Sequence, residues 1–189
     1  MTVTKADLRT RLLAERRARP DAERVAAGER ITEWLLAAPE LAAARVVTAY
    51  VGVGEEPPTL PLVEALVGRG LRVLLPIVLG KRELDWVEYT GPDSLAPAGF
   101  GLLEPSGRRL GPVALAQVDV ALCPGLAVGR DGSRLGRGGG YYDRVLERLD
   151  GRAWACALLF AGELLDSVPA TSRDQPVNAV VTPDGITRL

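Results

Sequence analysis

Four glycines, two arginines, two tyrosines and a carboxylate are compressed into Arg134-Leu135-Gly136-Arg137-Gly138-Gly139-Gly140-Tyr141-Tyr142-Asp143. Those residue types together suit an anion. Glycines let backbone N–H groups approach a ligand closely, and arginines supply forked donors that match phosphate oxygens. The glycines run directly into Tyr141 to Leu149, where Tyr142, Val145, Leu146 and Leu149 fall at helical spacing. A phosphate would therefore lie over a helix N-terminus. The plain alternative is a tight turn ahead of a helix. The flanking arginines favour a ligand, and so does Asp143, which would repel phosphate unless a cation such as Mg²⁺ lay between them. Two common nucleotide loops are excluded. No Lys-Ser/Thr ends the run, and Tyr141 stands where a dinucleotide fingerprint needs its third glycine.

The rest of the composition narrows the chemistry. There is no histidine, which removes Ser-His-Asp and Cys-His mechanisms and most transition-metal sites. Cys123 and Cys156 each lie inside apolar runs and read as buried core thiols rather than as a disulfide or zinc pair. A net charge of -1 and a pI near 5.7 argue against a protein that binds nucleic acid or a membrane surface through a basic field. Lys5 and Lys81 are the only lysines, and Lys81, beside Arg82, reads as a solvated loop charge. No apolar stretch reaches signal-peptide or membrane-span length, so the expectation is a soluble, cytoplasmic protein.

The elements that must position the loop follow from periodicity. Thr4 to Arg19 carries Leu8, Leu12 and Leu13 at helical spacing, with Thr4 as N-cap and Pro20 as stop. A second helix runs to about Ala38, with Val25, Ile31, Trp34 and Leu35 as its apolar face. Val46 to Val51, Leu62 to Val67 and Leu71 to Leu75 form a β-α-β unit, and Leu84 to Tyr89 alternates as a further strand. Gly91 to Gly111 is an irregular Pro- and Gly-rich connection. Val118 to Cys123 is a strand just ahead of the glycine loop, and Trp154 to Phe160 and Ala179 to Val181 are later ones. The order strand, glycine loop, helix is where α/β sheets bind ligands. At 189 residues the chain predicts a single α/β domain, 1-189, with a largely parallel central sheet flanked by helices and an N-terminal helical hairpin.

Several segments together resemble one family. Pro124-Gly125-Leu126-Ala127, Asp131 to Gly136 and Gly138 to Arg144 are similar to the signature of the 5-formyltetrahydrofolate cyclo-ligases, also called methenyltetrahydrofolate synthetases. Lys5-Ala6-Asp7-Leu8-Arg9 resembles the family's Lys-x-x-Leu-Arg element, Glu56-Pro57-Pro58-Thr59 its Glu-x-x-Thr turn, and Gly101 to Pro105 its Gly-x-x-Glu-Pro. Val168-Pro169 followed by Arg173-Asp174 falls where the family carries Leu-Pro and His-Asp. The matches occur in family order over nearly the full length. Departures are Arg173 in place of histidine, Pro76-Ile77 in place of Pro-Arg, and Val128-Gly129 in place of Phe-Asp.

The resemblance implies an enzyme that uses ATP and Mg²⁺ to close 5-formyltetrahydrofolate into 5,10-methenyltetrahydrofolate, releasing ADP and phosphate. The formyl oxygen attacks the γ-phosphorus, the second folate nitrogen adds to the activated carbon, and phosphate leaves. Such phosphoryl transfer needs positioning and charge neutralisation rather than a histidine base. Carried over by residue, Lys5 and Arg9 contact ATP phosphates. Arg134, Leu135, Gly136, Arg137, Gly138, Gly139, Gly140, Tyr141 and Tyr142 form the nucleotide cradle. Arg134, Arg137 and Tyr142 are the catalytic candidates, and Arg137 to Tyr141 also touch folate. Asp143 and Asp174 hold Mg²⁺. Glu56 matches the paired N–H edge of the pterin, and Val51 and Trp86 give an apolar wall. The implied partners are small molecules, acting on a monomer. Two other readings stay open: a nucleotide- or folate-binding paralogue of low activity with a sequestering or regulatory role, and a sugar-phosphate isomerase that ignores ATP.

Overall fold

Thr4 starts the first helix by a reciprocal cap. Its hydroxyl accepts from the Asp7 N–H at 3.2 Å, while its own N–H donates to the Asp7 carboxylate at 3.3 Å. That helix, α1 (Lys5–Ala18), stops just short of Pro20. Then come α2 (Asp21–Leu36), the short α3 (Pro39–Ala43), β1 (Val46–Thr48), α4 (Leu60–Gly68), β2 (Arg72–Leu79) and β3 (Glu83–Glu88). Next are β4 (Leu95–Pro97), β5 (Leu103–Pro105), β6 (Val120–Pro124), β7 (Ala127–Gly129) and β8 (Arg134–Leu135). The chain ends with α5 (Tyr141–Leu149), β9 (Trp154–Leu158), β10 (Leu164–Leu165), β11 (Ala179–Thr182) and β12 (Gly185–Arg188). The structure, a computed structural model, describes residues 4–80 and 82–189, so Lys81 lies outside the described residues.

Seven strands form the main sheet in the order β12-β11-β9-β6-β1-β2-β3. The inner pairings, from β11 through β9, β6 and β1 to β2, are all parallel, and only the edge strands β12 and β3 run antiparallel. Inner strands covered on both faces must be apolar throughout, as the buried run Val120 to Cys123 is. One face packs Ile31 and Leu35 of α2 and Leu62, Val63 and Leu66 of α4 against Val47, Val73 and Leu122. The other packs Val145, Leu146 and Leu149 of α5 against Leu74, Trp86, Ala121 and Cys123. Both cysteines are free and buried, as their apolar settings predict.

The two N-terminal helices bury their stripes against different partners. α1 lays Leu8 and Leu12 on Leu126, Ala127 and Leu135, which belong to the small three-stranded sheet β10-β7-β8 and its approach. α2 instead covers the main sheet. Val25, expected on its apolar face, is 54% exposed. The buried face runs through Ala27, Gly28, Ile31 and Leu35, and Gly28 sits directly against Pro58. The stretch from Gly91 to Gly111, expected to be irregular, contains the antiparallel pair β4 and β5.

Candidate functional site

The chain passes from β1 to β2 on one side and reaches β6 on the other, so its connections diverge between β1 and β6. Beyond the carboxyl ends of such strands a crevice must open, because adjacent loops turn away from each other. A cleft of about 780 Å³ opens there, lined by Tyr50 and Val51 after β1, Pro76 and Val78 of β2, and Pro124 and Gly125 at the end of β6. The glycine loop forms its opposite wall.

Arg134 anchors that loop. Its side chain is 4% exposed; one terminal nitrogen donates to the Pro124 carbonyl at 3.1 Å, the other to Asp143 Oδ1 at 2.9 Å. The guanidinium also stands 5.9 Å from the centre of the Tyr142 ring. Its Nε is buried without a partner among the described residues, as is the Tyr142 hydroxyl. Arg9 reaches in from α1 and donates to the Gly136 carbonyl at 2.9 Å. Gly140 caps α5 in the left-handed region at φ 70°, a conformation costly for any residue with a Cβ, and so turns the loop into the helix. The loop thus presents donors toward the cleft.

Arg137 crosses to the facing turn. It donates to Glu56 at 3.2 Å and to Glu55 at 3.3 Å. Glu56 is held in turn by the Val53 N–H at 3.2 Å. Thr59 closes the same turn, accepting from the Gly52 N–H at 2.9 Å and donating to the Tyr50 carbonyl. On the α1 side, Lys5 pairs with Asp174, whose carboxylate also accepts from Thr171 Oγ1 at 2.8 Å and from the Thr171 N–H. Burial works to raise the Asp174 pKa, but Lys5 and the two Thr171 donors outweigh it, and the net shift is downward. Burial holds the Tyr50 and Tyr142 phenols well above the usual tyrosine range and pushes the Cys123 thiol up to about 12. All three stay protonated at neutral pH.

The donor set fits a phosphate chain. Arg134 retains an unused buried N–H, and Arg9 and Arg137 stand on the same wall. For a metal, no cluster of three or more His, Cys, Asp or Glu side chains occurs among the described residues. Asp143 and Asp174 line the one cleft, each already paired with a cation. That set fits Mg²⁺ in its usual form, held by one or two carboxylates together with substrate phosphates rather than by a protein cage.

Of the residues expected at a site, Arg9, Val51, Glu56, the run from Arg134 to Asp143 and Asp174 line this cleft. Lys5 joins it through Asp174. Trp86 does not. It is fully buried among the residues that pack under α5, outside the lining, because a central position of β3 turns its ring into the core. Sequence reasoning did not name Tyr50, Glu104 and Thr171 as site residues, and it named Arg173 only as a departure from the family pattern. Glu104 accepts from the Val78 N–H at 2.7 Å and so pins β5 to the end of β2. The Gly-x-x-Glu-Pro match was its only signal. Arg173, which stands where the family carries histidine, faces the cleft, whereas Ile77 is absent from the lining.

Comparison with known proteins bears on this arrangement. A family model described as the 5-formyltetrahydrofolate cyclo-ligase family matches residues 1–183. The 5-formyltetrahydrofolate cyclo-ligase of Mycolicibacterium smegmatis is 40% identical over 185 residues, covering 95% of this chain and 94% of that protein. The Escherichia coli K12 protein of the same name is 29% identical over 168 residues, covering 84% and 89%. Among solved structures, the Aquifex aeolicus 5,10-methenyltetrahydrofolate synthetase superposes with a TM-score of 0.85 at 29% identity, covering 98% of this chain and 93% of that one. The chain belongs to the 5-formyltetrahydrofolate cyclo-ligase family.

Proposed function

We propose that this protein catalyses the ATP- and Mg²⁺-dependent cyclisation of 5-formyltetrahydrofolate to 5,10-methenyltetrahydrofolate, with release of ADP and phosphate. One observation carries the reading: Arg137 of the anion loop reaches Glu56 of the facing turn, so a phosphate cradle and a carboxylate suited to a pterin edge share one cleft. Lys5 and Arg9 contact the nucleotide phosphates from α1. Gly136 to Gly140 let the backbone come close to them. Arg134 and Arg137 stabilise charge on the γ-phosphoryl group as the formyl oxygen attacks it and ADP departs. Tyr142, neutral and without a partner among the described residues, donates its O–H toward the reacting oxygens. Glu56 accepts from the pterin's ring N–H and amino groups, and Val51 covers the ring. Asp143 and Asp174 would hold Mg²⁺, whose charge offsets that of the phosphates. The second folate nitrogen then adds to the activated carbon and gives up its proton as phosphate leaves. We assign these events to a monomer in the cytoplasm. Among the described residues no helix is long and apolar enough to cross a membrane.

The test is the rise in methenyltetrahydrofolate absorbance when purified protein meets 5-formyltetrahydrofolate, ATP and Mg²⁺. Product that requires all three is expected. Binding of both substrates without product would instead identify a sequestering protein, and turnover of a sugar phosphate without nucleotide consumption would identify an isomerase.

A further inference from the structure

Tyr50 is 5% exposed, lines the cleft, and has a buried hydroxyl with no hydrogen-bond partner among the described residues. Leaving a buried donor unmade costs about 1–3 kcal/mol, which phenylalanine would avoid. Other buried polar atoms share that condition: Arg19 Nε, Thr48 Oγ1, Trp86 Nε1 and Tyr89 Oη are also unpartnered among the described residues, but none of those residues lines the cleft. Within it, the unused atoms of Arg134 and Tyr142 belong to the phosphate wall, where the guanidinium faces the Tyr142 ring. Tyr50 follows β1 and leads into the turn that carries Glu56, with the Tyr142 phenol also nearby. Its carbonyl is held by Thr59, which closes the turn that carries Glu56. Burial, followed by the nearby Glu56 charge and then the Tyr142 phenol, makes its own phenol resist ionisation, so it remains a donor.

A carboxylate acceptor beside a phenol donor is the complement of a lactam edge, in which an N–H stands next to a C=O. The pterin carries such an edge. We propose that Tyr50 is a further substrate-binding residue whose hydroxyl donates to the 4-oxo oxygen of the pterin, while Glu56 accepts from the adjoining N–H groups. The assignment rests on the cyclo-ligase reading of the same cleft. It makes the 50–59 turn a two-point reader of ring chemistry, because an unpaired buried donor penalises a ligand lacking the matching acceptor.

The experiment compares wild-type protein with Tyr50→Phe in the methenyltetrahydrofolate assay, alongside thermal unfolding and competition by tetrahydrofolate and its 4-amino-4-deoxy counterpart. Product from the wild type establishes the underlying activity independently. Tyr50→Phe is expected to raise the 5-formyltetrahydrofolate KM about tenfold, the size of one lost hydrogen bond. The ATP KM should stay near wild type, the melting temperature should be at or above it because phenylalanine leaves no buried donor unmade, and the preference for the 4-oxo competitor should shrink by a similar factor. An unchanged folate KM, an equal rise in both KM values, or an unaltered 4-oxo preference in an active protein would overturn the assignment. A wild type that makes no product would overturn the activity on which the assignment rests.

Discussion

Arg134 is almost sealed from solvent, so the carboxylate facing it is part of the fold as well as of the site. A first-turn acid on an amphipathic helix looks dispensable to packing, and nothing in the spacing of Asp143 reveals its partner on β8. Asp143→Ala should therefore reduce stability by about 1–3 kcal/mol, the cost of an unsatisfied buried donor, and abolish turnover as well. Asp143→Asn keeps a hydrogen-bond acceptor for Arg134. Because the amide does not replace the charge, this variant should recover only part of that loss of stability in denaturant titration, while its turnover remains lost. If Asp143→Asn keeps the full rate, the metal role proposed for this residue is wrong. The sequence singled out the glycine loop and Glu56, and the fold brings them to one cleft. The place of Trp86 was not legible, because an aromatic on an alternating strand carries no mark of which face will be the core.

At the scale of elements, the turn after β6 is held from two sides. Arg134 takes the Pro124 carbonyl from the cleft, and Arg16 of α1 takes the Gly125 carbonyl from the interior at 2.6 Å. Arg16 is also bound by both carboxylate oxygens of Glu163 at 2.7 Å, and both side chains are buried. Glu163 in turn accepts from the Phe160 N–H at 2.8 Å, and Arg16 lies 5.3 Å from the Phe160 ring centre. Removing one partner strands a buried charge. Glu163→Ala should cost about 3–5 kcal/mol, and the double change of Arg16 and Glu163 to methionine should recover most of it, as denaturant titration would reveal. No recovery would mean that the pair is needed for its hydrogen bonds to the turn. The sequence could not announce this device, since its partners lie 147 positions apart in the chain. By contrast, the cap at Thr4, the α5 stripe and the β1-α4-β2 unit are local patterns, and the structure follows them. The small sheet β10-β7-β8 was illegible for the opposite reason: its strands are two or three residues long, too short to show a period.

Across the whole molecule, Lys5 and Asp174 tie the first helix to the C-terminal segment. The Asp174 pKa is lowered in the fold, so its contribution to stability is fully present above the ordinary carboxylate pKa of about 4 and disappears as pH falls through the lowered value. Unfolding free energy measured against pH should thus decline below about pH 4, with a shallower decline in Lys5→Met over that window. An identical acid limb in the two proteins would show that the tie adds nothing to the fold.

The cleft also balances its own charge. Four arginines, Arg9, Arg134, Arg137 and Arg173, are matched along its lining by four carboxylates, Glu56, Glu104, Asp143 and Asp174, on a chain whose net charge is only -1. Such a lining projects little field into solvent, so an anionic ligand gains little long-range guidance from it. Encounter is left to ordinary diffusion, and selection begins at contact, when a ligand's charges replace an internal partner of the same sign.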